Sequence, residues 1–378
     1  MKILHISKYY EPFKGGIEEV AKNVVKVFAD SSDAEQKVLC FNGDGGNKVD
    51  EIDGCEVTRV KRELCLFSQP ISFWYKKKLK EVLLSFKPDL IVFHYPNPYA
   101  AFFLLKLIPR NVKLVVYWHL DIVRQKFLKY VFHFQNSALL KRADKIIATS
   151  PDYMEGSPYL SKNKTKCVIV PNCINEKRLT KTSKSNSLFQ KIKLENSGKV
   201  LCLSVGRLVP YKGYEYLIQS AKMLSHKNIV FYIIGTGVLD SKLRKMASSC
   251  GNVEFLGEVT DDELKAYYSA ADIFCFPSIT KNEAFGIALA EAMYFNLPAV
   301  TYTIKGSGVN YVSRNGVTGL EAPNKDVEIF ADCVRKLAAN AEMRKAMGEK
   351  AHTRVVENFL LGQFHKNLKK AITDTFVV

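Results

Sequence analysis

Two glutamates, two cations and a histidine stand where they could act on a molecule that is part sugar and part phosphate. The glutamates lie in Glu283-Ala-Phe-Gly-Ile-Ala-Leu-Ala-Glu291. The segment follows an apolar run, Ile273-Phe-Cys-Phe-Pro277, and opens an apolar helix. Glu283 then falls in the loop before the helix and Glu291 two turns inside it. A helix starting near Gly286 aims the N–H groups of Phe285, Gly286 and Ile287 at whatever lies in front of it, which suits a phosphate. The missing side chain at Gly286 permits close approach. Carboxylates beside such a turn accept hydrogen bonds from hydroxyls. A carboxylate on a helix as apolar as the one around Glu291 needs donors once buried.

The cations follow a second apolar run, Val200–Val205, that ends in Gly206. The next loop carries Arg207 and Lys212, a planar fork and a mobile point charge. They are a solvated pair of ordinary cations or, if a phosphate group departs there, charges that stabilise the transition state more than the ground state. A metal ion could serve equally, but the chain has no Asp-x-Asp and no His/Cys cluster with ligand spacing. The expectation is neutralisation by side chains and helix N-termini, with no metal or other cofactor. His119 ends the strand candidate Leu114–Tyr117, as a structural or an active-site residue. Asp121 either orients it or caps the following helix. Gly15-Gly16 is a turn or, at the entry to a helix, an anion site. Gly235, in Ile233-Ile-Gly-Thr-Gly237, and Leu256, in Leu256-Gly-Glu-Val259, are expected to line a nucleotide pocket, with the base read partly by main chain.

These residues need a frame. A chain of 378 residues suggests two domains. Strand candidates Lys2–Ser7, Lys37–Phe41, Val57–Val60, Leu90–Phe93, Leu114–Tyr117 and Lys145–Thr149 alternate with helical segments such as Ile17–Ala29, Phe73–Phe86 and Phe127–Ala143. Residues 176–198 are polar and read as a linker or exposed loop. A second series starts at Val200 and runs through strands 230–234, 253–255, 273–276 and 299–302. Alternation of this kind implies parallel sheets covered on both faces, with ligands at the carboxyl ends of the strands. The expected class is α/β, with Rossmann-like doubly wound domains at 1–175 and 199–358 facing across a cleft.

Composition narrows the partners. The formal charge is +17, with +13 in residues 1–198 and +4 in residues 199–378. Such an excess suits nucleic acid, an anionic membrane surface or anionic substrates. No nucleic-acid motif is present, so nucleic acid is set aside. Phe73-Trp-Tyr-Lys-Lys-Lys-Leu-Lys80 and Arg124-Gln-Lys126-Phe-Leu-Lys129-Tyr130 mix aromatics with cations. Each is a solvated helix face or a membrane-interface segment. No apolar stretch approaches a membrane span, and the first residues read as a strand rather than a leader. Nine scattered cysteines without Cys-x-x-Cys pairs fit free thiols. The expected location is the cytoplasm, peripheral to the inner face of the cell membrane.

Four of these segments together resemble the retaining glycosyltransferases of family 4, which have the GT-B fold: Lys14-Gly-Gly-Ile-Glu-Glu19, Tyr117-Trp-His-Leu-Asp-Ile-Val-Arg-Gln-Lys126, Val200 to Gly213, and Glu283 to Glu291. The resemblance implies that Arg207 and Lys212 grip the donor diphosphate, Glu283 binds the donor sugar, and Glu291 the ribose. It implies that Gly15 and Gly16 close over the diphosphate and that His119 orients the sugar from the acceptor side. A last helix, about 359–378, would pack back on the first domain. A narrower resemblance, to O-antigen mannosyltransferases, rests on His94-Tyr-Pro-Asn-Pro-Tyr99, His119 to Lys126 and Thr149-Ser-Pro-Asp-Tyr153. It implies GDP-mannose as donor and a glycan or undecaprenyl-diphosphate-linked acceptor, with Asp121, Arg124 and Lys126 on the acceptor or membrane side. The alternatives are a UDP-sugar-dependent transferase of the same fold, a GT-B sugar-nucleotide epimerase, and a non-catalytic nucleotide-sugar-binding module.

Overall fold

The structure, a computed structural model, describes residues 1–13, 15–29, 34–43, 45–66, 69–122, 128–225 and 228–376, without the side chains of 128–131. It divides into two compact units. The first comprises Met1–Pro171 and the chain from Phe364 onward, the second Asn172–Gln363.

Unit 1 carries β1 (Lys2–Ile6), α1 (Gly16–Ala29), β2 (Glu35–Phe41), β3 (Lys48–Ile52), β4 (Cys55–Val60), β5 (Leu64–Leu66), β6 (Gln69–Ile71), α2 (Tyr75–Phe86), β7 (Leu90–Tyr95), α3 (Pro98–Leu107), β8 (Lys113–Trp118), α4 (Leu128–Arg142), β9 (Lys145–Ala148), α5 (Pro151–Gly156) and β10 (Cys167–Ile169). Among the described residues, eight strands form one sheet in the order β10-β9-β8-β7-β1-β2-β4-β3. Every pairing is parallel except β3 with β4. The order doubles back at β1 and β7, so their carboxyl ends diverge into the crevice where doubly wound sheets bind ligands. Ile91, Val92, Phe93, Leu114, Val115 and Val116 are fully buried, as continuous apolar strands covered on both faces must be.

Unit 2 repeats the plan. It carries α6 (Ser183–Glu195), β11 (Val200–Val205), α7 (Tyr214–Met223), β12 (Ile229–Ile234), α8 (Asp240–Ala247), β13 (Val253–Gly257), α9 (Asp261–Ala270), β14 (Ile273–Phe276), α10 (Ile287–Tyr294), β15 (Ala299–Tyr302), α11 (Val309–Val312), β16 (Gly319–Ala322), α12 (Val327–Ala339) and α13 (Ala341–Asn358). The helix α14 (Leu361–Thr373) begins in unit 2 and continues into unit 1. The all-parallel sheet runs β13-β12-β11-β14-β15-β16, with its switch point between β11 and β14.

One expectation fails here. Residues 176–198 are not an extended linker, because most of them form α6. Thr182 caps that helix reciprocally with Ser185, and Ile192 is buried. The Lys-Thr-Ser-Lys-Ser-Asn-Ser run that reads as loop is the cap and polar first turn of a helix.

Candidate active site

The ends of β11 and β14 bring most of the expected unit 2 residues together. Past Gly206, a short 3₁₀ turn, Pro210–Lys212, leads into Gly213 at φ 66°. A Cβ at Gly213 would stand 2.2 Å from the carbonyl oxygen of Pro277, so glycine there lets the Lys212 loop lie on the end of β14. Lys212 then lies over the Phe276 ring, 4.8 Å from its centroid, and its Nζ meets Glu283 Oε2 at 2.5 Å. Both side chains are only 12% exposed. Ser278 Oγ donates to the same carboxylate oxygen at 3.1 Å, and Ser307 Oγ donates to the Glu283 carbonyl. Among the described residues, Lys212 and Ser278 both meet Oε2 of this carboxylate. Arg207 is exposed and reaches Tyr211 Oη at 3.4 Å.

Gly286, at φ 96°, caps α10, with Ile287 half-buried as the first helical residue. The side chain of Phe285 turns into the core, edge-on to Phe359. Two turns on, Glu291 is buried, and the protein itself supplies two of its donors. Arg178 Nη2 donates to Oε1, and Tyr268 Oη donates to Oε2 at 3.1 Å. Arg178 also meets Asp261 at 3.4 Å. Burial first, then the neighbouring Glu291 carboxylate, push the Tyr268 phenol well above its ordinary value, so it remains a donor. Sequence reasoning missed Arg178 and Tyr268. They lie 113 and 23 positions from Glu291, and no spacing rule joins them.

Gly235 serves the frame more directly than a pocket wall. Its Cβ would fall 2.1 Å from the Gly206 carbonyl oxygen, so glycine lets the β11 and β12 ends meet backbone to backbone. Its N–H bonds the Gly257 carbonyl at 2.7 Å, next to the half-buried Leu256.

In unit 1, α1 starts at Gly16, and an acidic side chain lies beside the Gly15-Gly16 turn. Glu18 folds back until its Oε2 lies 2.2 Å from where a Gly15 Cβ would be. An acidic side chain on the first turn is the favourable partner of a helix N-terminus. His119 follows β8 and its backbone N–H bonds the Tyr95 carbonyl at 3.1 Å. Its Nε2 lies 3.0 Å from His94 Nδ1, at the end of β7. Burial lowers the His119 imidazole to about 3. Asp121 is expected to orient His119 or to cap the following helix, and residues 123–127, ahead of that helix, lie outside the described residues. Its Oδ1 accepts from Trp118 Nε1 at 3.0 Å and Ser157 Oγ at 2.9 Å, while His94 holds the His119 ring. Arg124 and Lys126 lie outside the described residues, as does Lys14. Among the described residues, no group of three or more His, Cys, Asp or Glu is placed to hold a metal ion.

The family profile described as Glycosyltransferase Family 4 matches residues 14–178, and that described as Glycosyl transferases group 1 matches residues 185–354. The chain belongs to the family 4 glycosyltransferases, with the GT-B fold. It is similar to O-antigen chain mannosyltransferase C of Escherichia coli, 28% identical over 95% of this chain and 94% of that one. D-rhamnosyltransferase WbpZ of Pseudomonas aeruginosa is 29% identical over 95% and 92%. Among solved structures, sucrose-phosphate synthase from Thermosynechococcus elongatus superposes with a TM-score of 0.81 at 18% identity, covering 100% of this chain and 99% of that one. Anabaena HepE in complex with UDP and glucose gives 0.77 at 17% identity, covering 99% of each.

Proposed function

We propose that this glycosyltransferase transfers mannose, with retention, from GDP-mannose to a sugar hydroxyl of a lipid-linked or oligosaccharide acceptor in bacterial surface polysaccharide synthesis. The observation that carries the reading is the Arg207, Lys212 and Glu283 set at the switch point of unit 2. The sugars named for the two relatives, mannose and D-rhamnose, share the manno configuration and differ only at C6, which favours a manno-configured donor sugar.

Lys212 has three N–H donors and uses one on Glu283, so it can meet a diphosphate oxygen without leaving that carboxylate. Arg207 adds a second cation. Glu283 Oε1 accepts from a sugar hydroxyl, and Glu291, braced by Arg178 and Tyr268, accepts from the ribose. His119 orients the transferred sugar. No carboxylate of the set is an evident nucleophile, so transfer is front-face. The bond from C1 to the phosphate oxygen breaks with its electron pair going to phosphate. The acceptor oxygen bonds C1 on the same face and gives its proton to the leaving phosphate. The two cations perform the charge stabilisation without a metal.

The acceptor side meets the inner face of the membrane. Phe73 and Trp74 are exposed at the start of α2, beside exposed Lys76, Lys77 and Lys80. Lys106 covers the exposed Phe102 ring at 3.9 Å. Aromatics among lysines suit headgroup depth on an anionic bilayer. Among the described residues, no helix is long and apolar enough to cross a membrane. Co-sedimentation with anionic but not zwitterionic vesicles, weakened in Phe73→Ser/Trp74→Ser, is the expected result.

The test of the main reading is turnover of GDP-mannose and UDP-sugars, with and without acceptor glycan and with EDTA. Acceptor-dependent, EDTA-resistant use of GDP-mannose giving an α-linked product is expected. An inverted anomer would overturn the front-face mechanism. Selective use of a UDP-sugar would favour the second reading, a UDP-dependent transferase, for which HepE bound to UDP and glucose is the precedent in this fold. Donor conversion without acceptor would identify an epimerase, and binding without turnover a non-catalytic module.

A further inference from the structure

His94 is the last residue but one of β7, beside the residue assigned to the sugar, and has no role in the reaction as described so far. Its ring and that of His119 are nearly coplanar, 9° apart, with centroids 5.3 Å apart and Nδ1 to Nε2 at 3.0 Å. That centroid separation is the N···N distance plus the two ring radii. The rings therefore meet edge to edge along an in-plane N–H···N bond rather than face to face. The buried Tyr117 ring lies flat against both, 4.4 Å from His119 and 5.8 Å from His94, and holds their planes.

We infer that His94 is a positioning residue: its Nδ1–H donates to Nε2 of His119 and fixes His119 in the tautomer that carries its proton on Nδ1. One proton lies between the two nitrogens, and it belongs to one ring or the other. If His119 donated it, His94 would carry its own proton on Nε2. That atom is sealed inside the protein and has no hydrogen-bond partner among the described residues. Buried N–H groups without an acceptor are rarer than buried acceptors without a donor, so the arrangement that leaves Nε2 of His94 bare is favoured. Charging either ring is opposed by burial, and for His94 also by His119 and His5. The consequence is specific. His119 offers a substrate an N–H donor at Nδ1, suited to a sugar oxygen, and offers neither a base nor a charged acid there.

The assignment rests on His119 facing the sugar, but its test does not. The full chain, labelled with ¹⁵N-histidine, is examined by long-range ¹H–¹⁵N correlation, with His119→Gln locating the signals. The expected pattern for His119 is a protonated Nδ1 and an unprotonated Nε2. The reverse pattern would overturn the inference. His94→Asn places an amide N–H near the lost Nδ1–H and should keep the pattern. His94→Phe should let His119 shift toward the other tautomer and lower kcat roughly tenfold or more with KM nearly unchanged. If His94→Phe unfolds, His94→Asn and the native spectrum still decide. An unchanged His119 signal in a folded His94→Phe would dismiss His94 as the positioning group. If the tautomer is as inferred but His119→Gln retains full activity, the sugar-facing role of His119 fails and the tautomer stands.

Discussion

The two units share a doubly wound plan and put opposite chemistry at the carboxyl ends of their strands. In unit 2 the carboxyl ends of β11 and β14 carry ion pairs, Lys212 with Glu283 and Arg178 with Glu291. In unit 1 the ends of β7 and β8 carry two buried histidines held neutral beside the Tyr117 ring. A doubly wound sheet fixes where a ligand binds and leaves open what it meets there. On the function proposed above, unit 2 answers charge developing on a diphosphate, whereas unit 1 addresses hydroxyls with dipoles.

The sharpest way to break the charged half is Lys212→Ala. Loss of one preorganised cation should lower kcat about 10²- to 10³-fold. It also leaves Glu283, nearly buried, with Ser278 as its recorded partner, at a cost of about 3 kcal/mol of stability. Adding Glu283→Gln should restore most of the stability and none of the rate. Recovery of rate in the double variant would reduce the pair to a structural element.

Acid should break the neutral half first. His5, hydrogen-bonded to Gln36 at 2.9 Å, joins His94 and His119 as a third buried histidine of unit 1. Burial holds His5 to about 4, His119 to about 3 and His94 well below its ordinary value. The unfolded chain takes up these protons near pH 6.5. The unfolded state thus binds more protons below that pH, and stability falls as pH drops from about 6.5 toward the folded values. Three such histidines amount to about 3 kcal/mol between pH 6.5 and 5.5. Hydrogen exchange should show amides of β1, β7 and β8 losing protection before those of β11 and β14. Equal or reversed loss would show that carboxylates common to both units dominate.

What was legible in the sequence follows the same division. Long apolar strands such as Leu90–Tyr95 and Val200–Val205 stand out because both faces are covered. The short strands β3, β5 and β6 do not, since Lys-Val-Asp-Glu-Ile and its neighbours bury too little to show a period. The helix α13 hides for another reason: its buried positions, Met347, Gly348, Ala351 and Val355, are mostly small. Gly348 lies against the Asn296 carbonyl, where a Cβ would come within 2.1 Å. Among the candidate residues, the placement of Glu283, Lys212 and Gly286 in the loops and at the helix cap follows from sequence-local geometry, and His119 follows a legible strand. Partners supplied by topology were not legible. Arg178 reaches Glu291 from before the first strand of unit 2, and His94 reaches His119 only because β7 and β8 are adjacent.

Arg178→Ala tests the first of those missed partners, with a smaller expected effect. Glu291 keeps Tyr268, and water can reach a residue whose side chain is 39% exposed, so the stability cost is about 1–2 kcal/mol. If Glu291 receives the ribose, losing its brace should weaken nucleotide binding about tenfold, near 1.4 kcal/mol. Calorimetric titration with GDP and UDP reads this directly. Unchanged affinity for both would remove Glu291 from the donor site.

The smallest effect is expected at Asp121, for which the sequence leaves open a role in orienting His119 or in capping a helix. Asp121 lies two residues past His119, in the position of a carboxylate that would orient an active-site imidazole. Its Oδ1 instead accepts from Trp118 and Ser157, and its N–H approaches Tyr153 Oη at 2.5 Å. Asp121→Asn keeps a carbonyl oxygen in place for both donors and loses the charge that strengthens them, at about 1 kcal/mol of stability. The His119 ring is held from the other side by His94, so kcat should change by no more than about threefold, or ~0.6 kcal/mol. A loss of about a hundredfold or more would mean that Asp121 acts on His119 during turnover. The two histidines would then be one arm of a triad with that carboxylate, and the neutrality that separates unit 1 from unit 2 would no longer hold.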